Sequence, residues 1–92
     1  MDARALPGGD LVEAGLRDLE AGEHSPFALL VAIAADSLRR AGLSVPDIRI
    51  ACPERRLYEL LAASDADSAH GRYNALLRRL VSFERALRCA GR

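Results

Sequence analysis

The chain has 92 residues, half of them hydrophobic, and its thirteen basic residues balance thirteen acids to a net charge of zero. That composition is too apolar for a disordered segment and allows one modest core. Neutrality argues against a partner held by bulk charge alone, whether nucleic acid or an anionic membrane. The longest apolar run, Phe27 to Ala35, is about half of the roughly 20 residues that cross a bilayer, so no membrane is expected. No basic segment followed by an apolar stretch opens the chain, and a cytoplasmic location is the expectation.

The amino-terminal MDARALPGG, residues 1–9, reads as a flexible lead-in, and residues 10–92 as a single helical domain. The first helix is expected from Asp10 to Ala21, with Asp10 as N-cap, Glu13 at the capping-box position and Gly22 as the stop. Its apolar positions Leu11, Val12, Leu16 and Leu19 form one stripe, and Gly15 on that stripe lets another helix come close.

Ser25 caps a second helix, Pro26 fits its first position, and Gly42 stops it after Ala41. A helix that is apolar nearly all round has to be buried, so this one belongs at the centre. Ala28, Ala32 and Ala35 form a narrow line along it, either a thin solvent edge or the seat of a closely packed neighbour. Asp36 has natural partners in Arg39 and Arg40, three and four residues on.

Gly42 to Cys52 holds Pro46 and an alternation of Ile48 and Ile50. A lone strand would leave its backbone unpaired. The expectation is therefore an irregular connector laying Val45, Ile48 and Ile50 over the core, with strand pairing across a dimer axis as the alternative. A third helix follows from Pro53 to about Ala63, burying Leu57, Leu60 and Leu61 with Tyr58 at the margin. The fourth and longest runs from about Asp67 to Cys89. Its Ala69, Tyr73, Leu76, Leu80, Phe83 and Leu87 alternate spacings of four and three, a heptad seam of nearly three repeats. Together these elements predict an all-α chain, a four-helix bundle or array with a buried second helix.

No catalytic, metal or phosphate-binding motif stands out, so no enzyme and no cofactor is expected. His24, Cys52, His70 and Cys89 are widely separated and show no metal-ligand spacing. The two cysteines are expected as free, partly buried thiols too far apart for a disulfide.

Charge is unevenly spread. Residues 1–36 carry seven acids against Arg4 and Arg17, while residues 64–92 carry six arginines against three acids. The plain reading sets acidic helices beside basic ones. A sharper one notes that Arg78, Arg85 and Arg92 fall opposite the apolar seam of the last helix, with Arg88 nearby and Arg72 and Arg79 flanking. His70 at the start of that helix and Arg72, Arg78, Arg79, Arg85 and Arg88 are the candidate contacts for an anion or nucleic acid. Tyr73 and Phe83 point into the seam, which leaves no aromatic platform for bases.

The leading expectation is a non-catalytic protein-interaction module, a homo-oligomer or the partner of another protein. Its candidate interface is the alanine line (Ala28, Ala32, Ala35) or the seam residues Tyr73, Leu76, Leu80 and Phe83. A nucleic-acid-associated regulator using the arginine face is the alternative.

Overall fold

A computed structural model describes residues 5–90. Residues 1–4 of the expected lead-in and Arg92 of the basic face lie outside the described residues. Among those described there are helices and no strands: α1 (Gly9–Glu20), α2 (Pro26–Ile33), α3 (Ala35–Arg40), α4 (Pro53–Ser64) and α5 (Ala69–Ala90).

Five helices replace the expected four because the second one breaks at Ala34, whose φ of −102° and ψ of 10° leave the helical region. The amide of Ala34 donates to the carbonyl of Val31, a tightened last turn of α2, before α3 restarts. No proline or glycine marks this break. Beyond it Leu38 is fully buried, so the bend answers to packing and not to helix propensity.

The starts and stops are local chemistry. Ser25 accepts a hydrogen bond from the Ala28 amide at 3.1 Å and donates one to Asp18 at 2.5 Å, so a single hydroxyl caps α2 and ties it to the end of α1. At both Gly22 and Gly42 the helix closes with paired bonds: Gly22 to Leu19 and Glu23 to Asp18, then Gly42 to Arg39 and Leu43 to Leu38. Asp10 is not the N-cap of α1. That position is Gly8, with φ 77°, and Asp10 lies in the first turn, where its charge suits the helix dipole.

α2 packs against α1, α4 and α5, which makes it the hub. Leu29, Leu30 and Val31 of α2 meet Leu11, Val12 and Leu19 of α1, Leu57 and Leu61 of α4, and Leu80 and Phe83 of α5 in one buried cluster. Gly15 lets α1 and α2 approach closely. A methyl group there would press on the Phe27 carbonyl and come within 2.5 Å of Val31 Cγ2. The expected burial is found in the middle of the central helix, at Ala28–Val31, and at Ala69, Leu80 and Phe83 of the last helix's seam, while Tyr73, Leu76 and Leu87 are half-buried.

Three expectations about burial are corrected. Leu60 is 39% exposed, because α4 turns the Leu57–Leu61 edge inward and Leu60 lies about 100° round the helix from Leu61. Ile48 is equally exposed, while Leu43, Val45 and Ile50 of the connector rest on the core. Cys52 and Cys89 are free, as expected, but both are exposed and not partly buried.

Candidate functional site

The alanine line is buried at one end and faces a cleft at the other. Ala28 is fully buried, and Ala32 and Ala35 form one wall of a cleft of about 320 Å³ whose other wall is the connector at Asp47–Ile50. Arg39 holds that wall in place, donating from its guanidinium to the carbonyls of Val45 (3.3 Å) and Pro46 (2.9 Å) while pairing with Asp36 at 3.4 Å. The connector is thus an extended segment strapped to α3 by one side chain. It forms no ladder with anything.

The other interface candidates divide. Leu80 and Phe83 are inside the core and offer no surface, a correction that follows from the depth at which the α5 seam sits. Tyr73 and Leu76 are half-buried. Tyr73 meets Tyr58 of α4 edge-to-face, with ring centroids 5.6 Å apart. Leu76 reaches the surface in a different place.

There, between the first turn of α2 and the outer flank of α5, an open groove of about 350 Å³ is floored by Phe27, Leu61, Ala75 and Leu76 and rimmed by Arg72 and Arg79. Phe27 is 37% exposed, a large ring left on the surface at the start of the most buried helix. Helical geometry explains the rim. At 100° per residue Arg72, Ala75 and Arg79 share one flank of α5, beside the seam position Leu76. Sequence reading named Arg72, Arg79 and Leu76 but missed Phe27, because an apolar residue in an apolar run carries no signal that it will face out.

The two rim arginines are held differently. Arg79 pairs with Asp10 at 3.2 Å, with the two side chains 51% and 80% exposed. Arg72 has no side-chain partner among the described residues. The chain's start closes over the same flank further along α5, where a methyl on Gly8 would lie 2.8 Å from the Arg79 carbonyl and Leu6 packs on the core. Residues 5–8 of the expected lead-in are therefore laid against α5.

The remaining basic residues sit elsewhere. Arg78 and Arg85 lie on the outer face of α5 beside Leu77 and Val81, the latter 45% exposed, and Arg78 also shares a surface depression with Ala75, Arg79 and Ser82. Arg88 is exposed in the last turn. His70 is exposed too, its Nε2 3.1 Å from the Asn74 amide. The six candidate anion contacts are spread round the outer face of one helix, from the Arg72–Arg79 flank through Arg78 and Arg85 to His70 and Arg88. Among the described residues no group of three or more His, Cys, Asp or Glu is arranged to hold a metal. No described helix is long and apolar enough to cross a membrane.

The chain matches no protein-family model, no curated protein and no solved structure. The groove has to be read from its own chemistry. Its floor is apolar and its charge lies at the edges, on Arg72 and Arg79.

Proposed function

We propose that this chain is a non-catalytic protein-interaction module, a four-helix array if α2 and α3 count as one broken helix, whose binding surface is the groove between α2 and α5. The observation that carries this reading is Phe27. An aromatic ring left more than a third exposed, beside Leu76 and between two arginines, is the kind of side chain that anchors an interface. The rest of α2 shows that burial was available to this helix, so the exposure of its first aromatic is a property of the surface.

Two measurements on the full chain test the reading. Light scattering at tens of micromolar gives the mass, and binding of an apolar fluorescent dye reports uncovered apolar surface. The module reading predicts either a dimer that Phe27→Asp dissociates or a monomer whose dye binding Phe27→Asp removes. A monomer that binds no dye contradicts it.

The nucleic-acid alternative rests on Arg72, Arg78, Arg85 and Arg88, which have no ion-pair partner among the described residues. The net neutrality of the chain weakens it. Binding to duplex DNA that falls steeply with added salt is its signature.

A further inference from the structure

We propose that the occupant of the groove is an amphipathic helix of another protein that carries two acidic residues seven positions apart, with apolar residues between them. This rests on the interaction reading above and specifies the chemistry of its partner. Arg72 and Arg79 stand seven residues apart on α5, about 10 Å of axial rise. A second helix lying along α5 offers the same spacing between its own positions i and i+7, with i+3 and i+4 facing between them. Those middle positions would meet Phe27, Ala75 and Leu76, which are apolar. No carboxylate is among the residues lining the groove, so an acid entering at the Arg72 end meets positive charge, and one entering at the Arg79 end meets an arginine already paired with Asp10.

Asp10 modifies the picture at one end. Its carboxylate already accepts from Arg79 at 3.2 Å and stands mostly in solvent. An arginine has five N–H donors in a fork, so Arg79 can serve a second carboxylate, but the incoming acid meets repulsion from Asp10. The Arg72 end has no such competitor. Asp10 therefore tempers binding without blocking it, and its removal gives a sign that a purely structural role for these residues would not produce.

The test is fluorescence anisotropy with the full chain and labelled alanine-based helical peptides of about 16 residues, long enough to hold helix. One carries two glutamates seven positions apart with leucines between, and two controls replace the glutamates by glutamine or lysine. The expected result is saturable binding of the glutamate peptide, at least about threefold tighter than the glutamine peptide, with the gap closing as salt is added. Combining Arg72→Glu with Arg79→Glu should transfer the preference to the lysine peptide, and Asp10→Asn should tighten glutamate-peptide binding. Circular dichroism checks each variant, and Arg72→Gln supplies the comparison where the double charge reversal does not fold.

Equal binding of all three peptides, or none while the apolar dye still binds, overturns the acidic-helix inference and leaves the interaction reading standing. A wild-type dimer that Phe27→Asp dissociates, and that binds no peptide, makes a second copy the occupant and also overturns it. So does duplex DNA binding lost in the Arg72→Glu, Arg79→Glu protein when no peptide binds. If neither peptide nor dye binds a monomer, both readings fall together.

Discussion

At the scale of single residues, two backbone positions make sharp predictions. Gly15 sets the distance between α1 and α2, because a methyl there would collide with the Phe27 carbonyl and with Val31. Gly15→Ala should cost about 1–3 kcal/mol in urea unfolding, the range for overpacking a filled core. A loss of only a few tenths would mean that the two helices are not seated as described. Cys52 is the one non-glycine with positive φ among the described residues (49°), and it stands immediately before α4. A left-handed residue costs about 1–2 kcal/mol, which glycine avoids while losing up to about 1 kcal/mol through its freer unfolded chain. Cys52→Gly should therefore be slightly stabilising and Cys52→Val destabilising by at least about 1 kcal/mol, since a β-branched side chain tolerates this region worst. Equal melting temperatures for all three proteins would count against that backbone. The role of Gly15 was readable from its place on an apolar stripe. The strain at Cys52 was not, because the tight turn into α4 is set by where the connector ends.

At the scale of elements, the long-range consequences of packing decide what sequence periodicity misses. The apolar pattern of Phe27 to Ala35 predicted a buried helix, and the cap at Ser25 and stop at Gly42 fall where hydrogen-bond chemistry puts them. The break at Ala34 was invisible, since alanine is the best helix former and nothing local opposes continuation. Leu60 was misread for a related reason. Periodicity assigns a face, but only the number of neighbouring helices decides how wide that face is. The connector makes the testable case. Arg39 is the side chain that bonds its carbonyls, at Val45 and Pro46. These bonds are exposed, so Arg39→Ala should cost only about 1 kcal/mol of global stability. It should nevertheless speed tryptic cleavage after Arg49 several-fold, because cleavage follows local opening more than global unfolding. Unchanged cleavage kinetics would show that the strap does not depend on Arg39.

At the scale of the whole molecule, the uneven charge of the sequence does not resolve into an acidic half neutralising a basic one. Among the described residues a single acid–arginine pair, Asp10–Arg79, joins the amino-terminal half to α5, and its exposure limits it to under about 1 kcal/mol. Ser37 adds a hydrogen bond to Glu84 at 3.3 Å. Most of the arginine charge of α5 is left facing outward, so charge-reversing Arg85 alone should shift the melting temperature by no more than a degree or two; a larger loss would reveal an ion pair that the fold depends on. Along the alanine line of the central helix, Ala28 is buried, while Ala32 and Ala35 face the molecule's own connector across a cleft. Apolar surface is also left uncovered at the start of that helix, where Phe27, Ala75 and Leu76 sit between Arg72 and Arg79.

The central claim is that this groove, and not another part of the surface, is where the molecule binds. Amide and methyl NMR spectra of the full chain titrated with an apolar organic anion such as anilinonaphthalene sulfonate test it most directly. Saturable shifts centred on Phe27, Arg72, Ala75, Leu76 and Arg79, absent in Phe27→Asp, are expected. Shifts centred on the cleft between α3 and the connector, or spread without saturation over the surface, would contradict it.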